Sequence, residues 1–304
     1  MNELISKFNI TDFYNVVDVR DGLNPAFRGL FFAWNSLHRD DRFIRSSRLL
    51  KEVIAVGENN SEEVYNLLVD STHPRVSLPL VLGCGNFGFP PAYPDFSEMK
   101  LTKFAKTIIE RSNSDDTNLP FAVPVPCVLV NGTLGYSMSE TKLPTHNLSE
   151  VIDAMIALIE NPKLETKELL QYIKGPDLFV GGAIENREEL CDIYEKGIGS
   201  IKIIVTAKNF NSSWFEAIGD YCNWYTLKFR KVYKKEAYRI EVPYYAFMND
   251  GEKCGLMSLK SILEKHLEYY RAYKNDLSDN ELCELLTSLK EYSRVRKTQE
   301  AFSI

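Results

Sequence analysis

The chain has 304 residues, 44% hydrophobic and 26% charged, which is enough apolar material for one large or two modest domains with a real core. Its formal charge of -6 argues against a generic polyanion binder, because non-specific nucleic-acid affinity comes mainly from lysine and arginine displacing counterions, so any DNA-binding face must be local. MNELISKFNI has no basic start followed by an apolar core, and the longest greasy run, FAVPVPCVLV, is short and broken by prolines, so we expect a cytoplasmic protein with no membrane partner.

Three helices are predicted early, over residues 25–38, 45–56 and 62–72, the third capped by Ser61 with Glu62 and Glu63 favoured by the dipole of its first turn. Short helices this close together suggest a helix-turn-helix. LPLVL (78–82) reads as a strand and GCGNFGFPP as a turn-rich loop. In PDFSEMKL, Ser97 reads as an N-cap for a helix whose buried face carries Leu101, Phe104, Ala105, Ile108 and Ile109. Phe96 at N′ and Leu101 at N4 would then close a hydrophobic staple.

SNSDDTNLP is the best linker. Beyond it, FAVPVPCVLV reads as a strand, and a helix over 148–161 follows, with Asn147 and Glu150 at capping-box spacing. A second box, Asn186 with Glu189, opens a helix ended by Gly197. SIKIIVTA, NWYTLKFRKVY and AYRIEVPYY read as strands, the last two joined near Lys234 and Lys235. Helices over 257–273 and 279–292 close the chain, the second opened by Ser278 and Glu281. The fold class is α+β.

Gly83, Gly85 and Gly88 satisfy GxGxxG, but Pro90 and Pro91 follow where a helix should open, so turn-forming glycines are the better reading than a dinucleotide site. The four histidines, at 38, 73, 146 and 266, have no metal-ligand spacing. No DxD pair offers a magnesium site and no GxxxxGK[ST] loop an ATP site, so this chain carries no cofactor, and any magnesium or ATP chemistry belongs to a partner subunit. Six scattered cysteines suggest reduced, mostly buried thiols. Basic residues cluster at Arg28, Arg39, Arg42, Arg45, Arg48 and Lys51. Such a run is either a solvated helix face or a local phosphate-binding face, and the segment that follows reverses sign with Glu52, Glu58, Glu62, Glu63 and Asp70.

Six strings in order, DVRDGLNP (18–25), GCGNFG (83–88), SEMKLTKFA (97–105), VLVNGTLG (128–135), PTHNLSEVIDAMIALIENP (144–162) and GPDLFVGGAI (175–184), resemble the breakage-reunion A subunit of bacterial gyrase and topoisomerase IV. MSLKSILEKHLEYYRAYK (257–274) resembles the segment returning into that family's coiled coil, and residues 207–255 match weakly. The resemblance implies a winged-helix domain over 1–112, a reduced tower-like α/β domain over 113–256, and C-terminal helices over 257–304 that are a remnant of the coiled-coil gate.

In that family a winged-helix tyrosine, preceded by an arginine in a motif close to RYTExxL, attacks a DNA phosphate. Setting SEMKL under TExxL places Phe96 on the tyrosine and Asp95 on the arginine. A phenyl ring has no oxygen with which to attack phosphorus, and an aspartate repels the phosphate an arginine would clamp. The family's HPHGD stretch is replaced by GENNSEE, and about four residues are missing before Phe96 by the same alignment. The implied DNA-binding residues are Arg20, Arg28, Arg45 and Arg48. Tyr136 falls where the family inserts an isoleucine between base pairs, and it reads equally as a wedge or as a packing residue.

The resemblance therefore implies a catalytically inactive A-subunit-like protein that binds duplex DNA, docks on an A-type or B-type topoisomerase subunit, or does both. A homodimer and a nucleoid location accompany that reading. The alternative is a residual enzyme in which Tyr93, three residues before Phe96, serves as a displaced nucleophile with a B-type partner.

Overall fold

The computed structural model describes residues 16–23, 25–37, 41–56, 61–72, 78–87, 93–111, 120–133, 140–206, 222, 227–232 and 237–300. Pro25 opens α1 (Pro25–Leu37), where its fixed φ suits the first helical position. The next helices are α2 (Ser46–Val56) and α3 (Ser61–Ser71). Gly29 lets α1 and α2 approach closely, since a Cβ there would lie 3.1 Å from Cγ1 of Val53. Against these helices stands an antiparallel sheet of β1 (Ile44–Arg45), β2 (Val81–Gly85) and β3 (Ser97–Leu101), in the order β1-β3-β2.

The predicted helix from Ser97 is corrected. SEMKL alternates inward and outward, with Ser97, Met99 and Leu101 buried and Glu98 exposed, so its period is that of a strand. Met99 sits opposite both Ile44 and Gly83. Helix α4 (Lys103–Arg111) begins only afterwards, and its cap is Thr102, whose Oγ1 accepts from the Ala105 amide at 3.1 Å. There is no staple. Phe96 closes a 3₁₀ turn over Pro94–Phe96 and points into solvent, while Leu101 is buried in the sheet. The strand predicted at 78–82 runs three residues further along, because Gly83 and Gly85 are tolerated in an edge strand: a Cβ on Gly83 would strike the Phe87 ring, and Gly85 has φ 70°.

FAVPVPCVLV is also corrected. Pro124 and Pro126 cannot donate to a ladder, so the stretch runs extended and turns into the short helix α5 (Cys127–Asn131), whose first carbonyl acceptor is Pro126. Next come α6 (Leu148–Glu160), α7 (Thr166–Leu169), β4 (Gly182–Ile184) and α8 (Leu190–Lys196), the last ended by Gly197 at φ 70°. Strands β5 (Ile198–Thr206), β6 (Lys228–Val232) and β7 (Ala237–Tyr245) then form a sheet with β4 and with β10 (Thr298–Gln299), in the order β10-β4-β5-β7-β6. A small hairpin, β8 (Phe247–Asn249) with β9 (Cys254–Leu256), leads to α9 (Leu259–Tyr273) and α10 (Asp279–Leu289).

Of the three capping boxes read from sequence, the one at Ser278 and Glu281 forms in both directions. Asn147 caps α6 alone, because the Glu150 carboxylate turns to Arg296 at 2.9 Å and to the Lys174 amide at 3.0 Å. Asn186 precedes a 3₁₀ turn and donates through its side chain to Glu189 instead. Asp177 receives the backbone amides of Lys297 and Thr298 at 2.7 and 3.0 Å, which pins β10 beside β4. One buried apolar cluster joins these parts, from Leu30 and Phe31 of α1 through Val128 and Ile152 to Ile203, Leu263 and Leu286. Among the cysteines, Cys127 and Cys222 are buried and Cys84 is exposed, so the thiols are less uniformly buried than their scatter suggested. No helix among the described residues is long and apolar enough to cross a membrane.

The DVRDGL stretch is the junction of these parts. Val19 donates its amide to Asn249 of β8 at 2.9 Å, and the Val19 carbonyl meets Nδ1 of His266 on α9 at 3.2 Å. Asp21 is fully buried. It accepts from the Leu23 amide at 2.9 Å, the Phe121 amide at 3.1 Å, and Arg28 Nε and Nη2 of α1 at 2.6 and 2.8 Å. Asp18, also buried, takes Arg20 through Nε and Nη2 and lies 3.2 Å from Arg28 Nη2. Burial opposes charge on Asp18, but the Arg20 hydrogen bonds and the Arg28 charge outweigh it and hold this carboxyl below its ordinary value.

Removing Arg28 would leave two carboxylates in the interior without their shared cation. Arg28→Ala should therefore destabilise the fold by ~3–5 kcal/mol, read as a lowered urea midpoint. The buried imidazoles set a pH dependence. Desolvation lowers both His146 and His266 from 6.5 to about 4, so between those values the unfolded chain binds protons that the folded chain does not. Stability should thus fall as pH drops from neutral, by up to ~2 kcal/mol per histidine between about pH 6.5 and 5. His266→Gln should flatten part of that slope in urea titrations at a series of pH values.

Candidate nucleic-acid interface

Arg45 and Arg48 come together because β1 runs straight into α2. In β1 the inward residue is Ile44 and the outward one is Arg45, while Arg48 and Lys51 stand exposed one turn apart on α2. With Phe43, Ser47 and Asp95 these three cations line an open groove of about 530 Å³. No acidic residue occupies the first turn of α2, so the positive end of that helix is uncancelled within its own first turn.

Arg20 and Arg28 form a different group. Arg28 is largely buried, its guanidinium shared between Asp21 and Asp18. Arg20 is partly exposed, bonded to Asp18 and lying 5.7 Å from the centre of the Tyr269 ring; Gly251 packs so closely on it that a Cβ would lie 2.4 Å from Nη1. These two arginines are thus engaged in holding DVRDGL in place. Tyr136 lies outside the described residues, as do Arg39, His38, His73 and the 57–60 portion of GENNSEE.

The turn that carries Asp95 and Phe96 is tied to α2 and α3 by hydroxyls at the residue that follows it. Ser97 Oγ bonds Ser46 Oγ at the start of α2 and Tyr65 OH of α3, each at 2.8 Å, and all three groups are buried. The Phe96 amide donates to the Tyr93 carbonyl at 3.0 Å, closing the turn. Phe96 is 67% exposed and Tyr93 58%, while Phe43 is 38% exposed with the Lys100 ammonium 4.9 Å from the centre of its ring. Phe43 and Ser47 have no assigned role in the sequence reading, and Ser97, read there as a helix cap, instead joins β3 to α2 and α3. The available signal for Phe43 was its spacing of two from Arg45, which puts both on one face of a strand.

Among the described residues no group of three or more histidine, cysteine or carboxylate side chains could hold a metal ion. His146 and His266 are both buried, His146 bonded to the Leu129 carbonyl and to Tyr194 OH at 3.0 and 2.8 Å. What the groove offers chemically is positive charge and aromatic surface around one carboxylate.

The family model for the A subunit of DNA gyrase/topoisomerase IV matches residues 15–215. The DNA gyrase A subunit of Thermotoga maritima is 35% identical over 214 residues, 64% of this chain and 26% of that protein. The DNA gyrase A subunit of Pseudomonas aeruginosa is 34% identical over 207 residues, 61% of this chain and 22% of that protein. The chloroplastic/mitochondrial DNA gyrase A subunit of Arabidopsis thaliana is 31% identical over 208 residues, 61% of this chain and 22% of that protein. The chain spans about a quarter of the length of these relatives.

Ser97→Ala should leave Tyr65 OH and Ser46 Oγ short of a buried partner and cost ~1–3 kcal/mol, whereas Phe96→Tyr, in solvent, should stay within ~0.5 kcal/mol of the parent. Paired urea titrations of the two variants check the contrast.

Proposed function

The chain belongs to the family of DNA gyrase/topoisomerase IV A subunits, and from that premise we propose that it binds duplex DNA without cutting it. The observation that carries this reading is the side chain at position 96. The family motif RYTExxL, set against SEMKL, puts the phosphorus-attacking tyrosine there, and this chain presents an exposed phenyl ring beside a groove lined by Arg45, Arg48 and Lys51. Phosphate affinity survives such a change; covalent attack does not, because no oxygen is present to form the ester. Asp95 opposes the second requirement, a cation on the phosphate undergoing attack.

In this reading α1, α2 and α3 with the β1-β3-β2 sheet act as a winged helix, with α2 offering its first turns to the backbone. Arg20 and Arg28 support the fold beneath the interface, and Tyr136 stays a candidate wedge. The relatives are named as subunits, which supports docking of this chain on an A-type or B-type topoisomerase subunit or on a second copy of itself, any magnesium and ATP sites lying on the partner. A nucleoid location follows from the same reading.

One observation favours a second reading. Tyr93 is 58% exposed and caps the 3₁₀ turn that Phe96 closes, three residues further on. Its phenol is thus a candidate displaced nucleophile in a residual topoisomerase that works with a B-type partner.

With three phosphate contacts, duplex affinity should fall roughly 40-fold between about 50 and 200 mM salt, and Arg45→Glu or Arg48→Glu should weaken it about tenfold while flattening that slope. Fluorescence anisotropy on a labelled duplex checks both. Incubation with a B-type partner, magnesium and ATP should leave no covalent DNA adduct. An adduct abolished by Tyr93→Phe would establish the second reading in place of the first.

A further inference from the structure

We propose that the groove beside α2 takes single-stranded nucleic acid, with phosphates on Arg45, Arg48 and Lys51 and bases stacked on Phe43, Tyr93 and Phe96. This rests on the phosphate contacts proposed above for Arg45, Arg48 and Lys51, and adds to the duplex a second class of ligand that the same cations would hold. Folding normally removes aromatic surface from water, yet Phe43 in the groove lining, and Tyr93 and Phe96 at the turn that brings Asp95 into that lining, all stay exposed.

Their placement suits stacking. Tyr93 is the extended cap of a single closed 3₁₀ turn and Phe96 is its last residue, so one short turn carries two exposed rings within reach of nearby nucleotides of a single strand. The end of the turn is anchored, because the adjoining Ser97 hydroxyl is tied to both α2 and α3. Phe43 is steadied from the other side by the Lys100 ammonium, and it shares the groove with the three cations.

A duplex keeps the faces of its bases stacked on one another and offers these rings only sugar and phosphate edges. A single strand offers a π-face at every nucleotide, and a cationic groove interleaved with rings is the arrangement that binds it without sequence preference. Asp95 lies in the same groove and exposed Glu98 stands opposite Arg45 across the β1–β3 pair; both repel phosphate, but three cations outnumber them. DNA and RNA single strands share this chemistry, so both belong in the test.

The whole chain should be titrated with fluorescein-labelled oligothymidylate and oligouridylate of ~15 nucleotides and with a duplex of equal length, by anisotropy at about 150 mM salt. The proposal expects at least one single strand to bind about tenfold or more tightly than the duplex, and the better of the two identifies the sugar. Phe96→Ala and Tyr93→Ala should each weaken that single strand by about 5- to 100-fold, and weaken it more than the duplex. Both side chains are exposed, and an unchanged urea midpoint confirms that the fold is intact. Single strands that bind no better than duplex, or that are indifferent to both alanine variants, overturn the proposal. If duplex binding then persists and Arg48→Glu removes it, the broader reading stands alone; if neither strand form binds, both fail.

Discussion

The structure depends on a pair of aspartates buried around one arginine. Asp21 and Asp18 share Arg28, and Asp21 also holds the amides of Leu23 and Phe121, so a single carboxylate ties α1 to a backbone segment a hundred residues away. Carboxylates are expensive to take out of water; the donors around Asp18 outweigh that cost, whereas at Asp21 burial still outweighs the donors on its oxygens and raises the carboxyl above its ordinary value. The neighbouring Val19 carries the tie onward, to β8 through Asn249 and to α9 through His266. The early helices, the central segment and the C-terminal helices are thereby set against one another at a site whose geometry tolerates little change.

From that anchor the groove follows by a chain of short links. α1 fixes α2 through the close approach at Gly29. The start of α2 holds β3 through the Ser46–Ser97 hydroxyl pair, and β3 holds the turn that precedes it. Arg45, Arg48 and Lys51 need no buried partner to sit where they do, because the junction of β1 with α2 sets their direction. The charge that a phosphate would meet is therefore exposed, whereas the charge that orders the fold is hidden. The two arginine groups differ in just this respect, although they lie within thirty residues of each other in the sequence.

Much of this was legible in advance. Pro25, Gly197, Ser278 with Glu281, and Asn147 act where their chemistry says they should, because caps and stops are local and depend on a few adjacent residues. SEMKL was misread because five residues fit a helical face and an alternating strand almost equally well. The tie was broken by partners on β1 and β2 that no local rule can see. Glu150 left its capping role for the same kind of reason, since Arg296 lies 146 residues away in sequence. For the groove, the basic cluster was readable as a run of charge. Which of its members face solvent and which face a carboxylate was not, because that depends on the burial of Asp18 and Asp21.

The exposed ring at position 96 then poses a problem of free energy that the fold does not solve by itself. Burying a phenylalanine would stabilise the chain by ~1.5–3 kcal/mol, and a polar residue in the same turn would avoid presenting apolar surface to water. The turn is nevertheless anchored at Ser97, its C-cap, by buried hydroxyl contacts with Ser46 and Tyr65. That anchor does nothing for a ring that meets only water. A turn built to hold a side chain outward, next to cations that also point outward, makes physical sense when both are completed by a ligand carrying phosphate and a flat apolar face together.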